Sequence, residues 1–204
     1  MAELNVPYYV QPNSDTCQST CLKMMAEYVA RRTARGDGNW QILSIKEALT
    51  SGQGRPNQTV YNHYDNYVWW LNGEFGGTPS FSWRWIASDG DAVRWLVQRI
   101  EAGYPVITSN RTTAAGHVIL VIGFQVGLGD VWSGDAARAT PLATRFLCHD
   151  PGGRYQRGTS WHQRRFDGAS SLAGGGEDGP GKSVEYTIDQ IRRGQGEWSV
   201  LSCQ

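Results

Sequence analysis

Gln11-Pro12-Asn13-Ser14-Asp15-Thr16-Cys17-Gln18-Ser19-Thr20-Cys21 decides how this chain is read. Asp15 or Ser14 can cap a helix. The apolar residues Cys21, Met24, Met25 and Tyr28 then recur at three- and four-residue spacing, predicting a helix from Cys17 toward Arg35 that Gly36-Asp37-Gly38 stops. A thiol in the first turn of a helix meets the positive end of the macrodipole and unpaired backbone N–H groups, which favour the nucleophilic thiolate. Gly116-His117 and His149-Asp150-Pro151 follow far downstream. A histidine can act as general base and acid toward such a cysteine, an acid can fix its tautomer, and a glutamine upstream can donate to an oxyanion. Gln11, Cys17, His117 and Asp150 supply these four groups in chain order.

Outward from this stretch the periodicity is helical first and extended later. Ser44-Ile45-Lys46-Glu47 has capping-box form before Ala48-Leu49, which predicts a short second helix. Val60, Tyr64, Tyr67, Val68 and Leu71 predict a third, and Val93, Leu96, Val97 and Ile100 a fourth that ends at Gly103. Val106 to Thr108, His117 to Phe124, Thr144 to Cys148 and Trp198 to Ser202 are short strand-like runs bounded by Gly, Pro and Asp. An α+β fold is expected, with a cysteine-bearing helix packed on an antiparallel sheet.

Val6-Pro7-Tyr8-Tyr9-Val10-Gln11 followed by Asp15-Thr16-Cys17 resembles the opening motif of the bacteriocin-leader-processing, or double-glycine, peptidases and their broader relatives, a papain-like cysteine peptidase group. Ile100-Glu101-Ala102-Gly103-Tyr104-Pro105-Val106-Ile107 resembles that family's passage from helix through glycine to strand. Gly116 to Phe124 is similar to its strand beginning at the histidine, and His149-Asp150-Pro151-Gly152-Gly153 to the strand end carrying the acid. The likeness frames residues 6–153. It implies a papain-like fold, with Cys17 as nucleophile, His117 as base, Asp150 as orienting acid and Gln11 as oxyanion donor. The family commonly has Gly-Pro after the cysteine, where this chain has Gln18-Ser19.

The 204 residues suit one domain with a sizeable core. Nineteen basic residues balance nineteen acidic ones, which gives no electrostatic case for nucleic acid or an anionic membrane as partner. Met1-Ala2-Glu3-Leu4-Asn5 has neither the basic start nor the apolar core of a signal peptide, and no apolar run reaches the ~20 residues needed to span a bilayer. A soluble protein made in the cytoplasm is expected. Its four cysteines are too few for a disulfide scaffold at this length and are read as free thiols. No cofactor is called for.

Two segments look like elaborations. Residues 168–182 include Ala173-Gly174-Gly175-Gly176 and Gly179-Pro180-Gly181, the composition of a mobile loop or flap. Residues 55–90 hold a dense aromatic set. Helical core is one reading of it; a substrate wall formed by Trp69, Trp70, Trp83 and Trp85 is the other. Such a wall suits a peptide or a peptidoglycan substrate, as in an endolysin-like bacterial or bacteriophage enzyme. Leader-peptide processing and an effector protease are the other substrate readings.

Other assignments stay open at this level. Cys21 lies one turn beyond Cys17, His149 competes with His117 as base, and Asp150 to Gly153 also reads as a turn. His63 and His162 have no evident companions and are read as surface residues. Cys17, Cys21, Cys148, His149 and His117 would form a zinc set if they converged, although the Cys17–Cys21 spacing differs from that of a zinc knuckle. A binding module without catalysis, built on a peptidase fold, is a further alternative.

Overall fold

A computed structural model describes residues 2–35, 38–110, 116–128, 131–153, 155–156, 165–166, 179 and 181–204. The predicted loop at 168–182 lies outside them except for Gly179, Gly181 and Lys182, and His162 lies outside as well.

The predicted helices are present. They are α1 (Cys17–Thr33), α2 (Ile42–Ser51), α3 (Tyr64–Glu74) and α4 (Asp89–Glu101), with a single turn, α5 (Ile188–Ile191), near the end. Their boundaries depart from the local signals. Neither Ser14 nor Asp15 caps α1: Thr16 takes the N-cap position without a side-chain cap, and Asp15 pairs with Lys46 at 2.6 Å. Helix α2 starts two residues before Ser44, behind Gln41, so the capping-box pattern falls inside the helix. Helix α1 ends at Ala34, which turns left-handed at φ 52° and returns its N–H to the Ala30 carbonyl.

Strands β1 (Ala2–Glu3), β2 (Phe81–Ile86), β3 (Val106–Asn110), β4 (His117–Leu128), β5 (Val131–Ser133), β6 (Thr144–His149), β9 (Val184–Thr187) and β10 (Trp198–Cys203) form one sheet. Its order is β2-β10-β3-β4-β6-β9, with β1 and β5 also on β4, and every pair is antiparallel. The strands β7 (Tyr155–Gln156) and β8 (Arg165–Phe166) pair separately.

Strand β4 organises the molecule because both its faces are apolar. Val118, Leu120 and Ile122 join the core under α1, α2 and α3, while Ile119 and Val121 join the core under α4 and α5. A continuous apolar run in sequence is what a strand covered on both sides requires. Helix α1 is buried around most of its girth, even at Gln18, Ser19, Thr20 and Glu27. Glu27 is held there by Lys23 at 2.8 Å and by the Tyr9 hydroxyl, which donates to it at 2.7 Å.

The aromatic stretch is structural for the most part. Tyr64, Tyr67, Trp70, Leu71, Phe75 and Phe81 are buried in the α1-side core. The alternating Phe81-Ser82-Trp83-Arg84-Trp85-Ile86 is an edge strand paired along its length with β10. The helical reading of residues 55–90 masked that strand. Leu120 has no exposed surface beneath α1, so Leu120→Ala should cost about 2–5 kcal/mol in urea denaturation. Trp85→Ala, at a site 47 % exposed, should change stability by only about 0.5 kcal/mol.

Candidate active site

Cys17 is the first residue of α1, and Thr20 N–H bonds to the Thr16 carbonyl at 2.9 Å to close the first turn. The N–H groups before Thr20 therefore point out of the helix end beside the Cys17 side chain. Cys17 keeps 9 % of its surface exposed, whereas Cys21, Cys148 and Cys203 keep none. Burial pushes the Cys21 and Cys148 thiols well up and raises Cys203 to about 11. Cys21 Sγ, one turn on, donates to the Val118 carbonyl at 3.4 Å.

His117 opens β4 immediately after Gly116, whose φ of 84° makes the turn into the strand at a value that favours glycine. Its Nε2 lies 2.7 Å from Asp150 Oδ1, and the ring is close enough to the Cys17 side chain for the two to interact electrostatically. Burial favours the neutral ring, but the charge and hydrogen bond of Asp150, together with Cys17, outweigh it and raise His117 to about 10. These partners favour the imidazolium, the form His117 takes once it holds the Cys17 proton.

Asp150 is fully buried just past the end of β6. Gly152 N–H also donates to Oδ1 at 2.9 Å, and the Tyr186 hydroxyl donates to Oδ2 at 2.7 Å. Its backbone is fixed too: the Tyr8 hydroxyl donates to its carbonyl at 3.0 Å, and its N–H donates to Gly181 O at 2.8 Å. Only glycine fits at 181, where a Cβ would fall 1.9 Å from the Asp150 oxygen. The Asp-Pro-Gly-Gly segment is a turn as well, since Gly153 N–H returns to Asp150 O at 3.1 Å. Tyr8, Gly181 and Tyr186 had no signal in the sequence that tied them to the acid.

Gln11 is 3 % exposed, and its backbone N–H donates to Pro151 O at 2.8 Å, beside Asp150. Its Nε2 spends one hydrogen on Asn13 O at 2.7 Å, which leaves the second for another acceptor. His149 is a structural histidine. Ser183 N–H donates to its Nδ1 at 3.1 Å, so the proton is on Nε2 and goes to Val6 O at 3.0 Å. Burial lowers His149 to about 4, partly opposed by its bond to Val6. Both nitrogens are occupied, which removes it as a rival to His117. Among the described residues no three of His, Cys, Asp and Glu converge to hold a metal, so the zinc set does not assemble.

A model of the Peptidase_C39 like family matches residues 3–169. The chain belongs to this family. It is a cysteine peptidase, a hydrolase with the papain-like arrangement of an N-terminal cysteine helix on an antiparallel sheet. Neither a curated protein nor a solved structure gives a significant match. The matched stretch of the peptidase takes in Gln11, Cys17, His117 and Asp150 and stops before β9, so Tyr186 lies outside it.

The four tryptophans separate. Trp70 is a correction: it is 6 % exposed and packs edge-on to Trp40, because helical periodicity puts it on the buried side of α3 with Tyr67 and Leu71. Trp69 is half-buried and, with Pro56, Asp65, Val68, Asn72 and Gly73, lines a surface hollow of about 560 Å³ that includes none of Cys17, His117 and Asp150. Trp83 is half-buried, donates Nε1 to Asp65 at 2.6 Å and packs on Tyr64. Trp85 is the exposed one. His63 has companions after all, since it caps α3, lies 3.1 Å from Asp65 and meets Trp83 edge-on.

Two pH effects follow. Because His117 is raised from 6.5 to about 10, its charged form adds stability that is fully present below pH 6.5 and is lost as pH rises through about 10. The alkaline limb of kcat/KM should accordingly lie well above neutrality and move down in Asp150→Ala, with Asp150→Asn retaining more turnover than Asp150→Ala because asparagine still orients the ring. His149 has the opposite sign: its contribution is present above pH 6.5 and lost as pH falls through about 4. Thermal unfolding from pH 7 to pH 4 should therefore show an acid destabilisation that His149→Gln reduces.

Proposed function

We propose that Cys17 is the nucleophile of an acyl-transfer reaction, His117 its general base and acid, and Asp150 the group that orients His117. The observation that carries this reading is the buried His117–Asp150 pair, 2.7 Å apart, beside the first residue of α1. The Cys17 proton passes to His117, and the sulfur attacks the carbonyl carbon of an amide. The developing oxyanion takes hydrogen bonds from the Cys17 N–H and the remaining N–H of Gln11. Collapse expels the amine, which takes its proton from His117. Water, giving a proton to His117, then attacks the thioester, and the acid product leaves as the thiol is restored. Asp150 orients the His117 ring throughout.

For the substrate we propose the peptide cross-bridges or stem peptides of peptidoglycan, cut by a bacterial or bacteriophage enzyme that reaches the wall after release. The support is aromatic. Arg84, Val200, Thr108 and Ile119 form one row of paired residues across four strands. Trp85 lies one residue from that row toward the sheet end that bears His117. It shares its face with Phe81 and Trp83, the side covered by α1. Strands β10 and β3 lie between it and β4, and an open indole on the same face and toward the same sheet end as the site suits a substrate with extended peptide and sugar surfaces. Among the described residues no helix is long and apolar enough to cross a membrane.

Isolated sacculi incubated with the peptidase should release new amino groups without new reducing ends. Cys17→Ala should lower the rate by about 10³-fold or more while the far-UV spectrum is retained. Trp85→Ala should raise KM more than it lowers kcat. Intact sacculi alongside cleavage of a double-glycine leader peptide would replace the wall by leader processing as the substrate class.

A further inference from the structure

Gln18, the second residue of α1, is 2 % exposed, and its side chain folds back over the helix start. Its Nε2 donates to the Asp15 carbonyl at 3.0 Å, and its Oε1 accepts from Cys17 Sγ at 3.4 Å. These two contacts settle which way the amide faces. A backbone carbonyl can only accept, so the NH₂ group must meet Asp15 and the oxygen must meet the sulfur. The reversed amide would set two carbonyl oxygens against each other.

We propose that Gln18 is a positioning residue that keeps the nucleophile's proton on sulfur in the resting enzyme. The inference rests on the reading of Cys17 as nucleophile. A thiol facing an amide oxygen is satisfied, whereas a thiolate facing the same lone pairs is repelled. His117 approaches the same sulfur with an opposite demand, since it takes the proton. The helix start favours the thiolate and Gln18 opposes it. Attack on substrate then requires the Gln18 oxygen to turn away as the proton passes to His117, which ties arming of the sulfur to a local rotation at the mouth of the helix.

The test needs no peptide substrate. Alkylation of Cys17 by iodoacetamide, followed by mass spectrometry from pH 5 to pH 9, is compared among the parent, Gln18→Leu, Gln18→Ala and His117→Ala, each checked for fold by far-UV circular dichroism. One lost hydrogen bond predicts that the Gln18 variants react about three- to tenfold faster than the parent near pH 6, with the gap closing toward alkaline pH. Either folded Gln18 variant suffices. Rates equal to the parent, or slower, overturn the inference. If His117→Ala slows alkylation and the Gln18 variants match the parent, the nucleophile reading stands and this inference alone fails. If His117→Ala has no effect, it is the nucleophile reading that fails.

Discussion

A fully buried carboxylate is the constraint around which the site is built. Removing an ion from water costs several kcal/mol unless charge and hydrogen bonds replace the solvent. Asp150 has that replacement from three directions: His117 at the start of β4, Gly152 in its own turn and Tyr186 on β9. Each partner belongs to a different part of the chain, so satisfying one side chain ties the central strand, the turn after β6 and the sheet edge together. Tyr8 and Gly181 hold the backbone of the same residue and bring in the segment that leads to Gln11. A charge in this setting stays fixed, and a fixed charge keeps His117 in one tautomer and one orientation.

The two cores give that arrangement its rigidity. Strand β4 is apolar on both faces, and α1 is clamped against one of them by Leu120, Ile122 and their neighbours. The helix start cannot slide relative to the strand start without disturbing close packing on both. Cys17 and His117 come from elements a hundred residues apart in sequence and meet because each is the first residue of its element. Starting a helix and a strand at one corner brings a thiol and an imidazole together there, with the acid buried behind them.

The chain's membership in the Peptidase_C39 like family spans residues 3–169. Gln18 brings a buried amide against the sulfur, and β2 adds an edge strand carrying one open indole. Most of the other aromatic rings stabilise the α1-side core. Their density in sequence reflects the need to fill the space among α1, α3 and β2 with large side chains.

Local pattern made much of this legible in advance. The helices at 17–33, 64–74 and 89–101 and the strands from 106, 117, 144 and 198 follow from periodicity and from glycine or proline at their ends, because those signals act over a few residues. Candidate chemistry was legible for a similar reason: Cys17, His117 and Asp150 each sit at an element boundary that the sequence marks. Strand β2 was not legible, since Trp83 and Trp85 at alternate positions look like part of a helical aromatic run until β10 pairs with them. Nor was the burial of Trp70, the commitment of both His149 nitrogens, or the meeting of Tyr8, Gly181 and Tyr186 at one carboxylate. Those outcomes depend on which surfaces close over one another across long stretches of chain. Sequence alone determined most of the helices and strands and which residues could react; only the tertiary structure decided which polar groups lose their water, and therefore which of them must find one another.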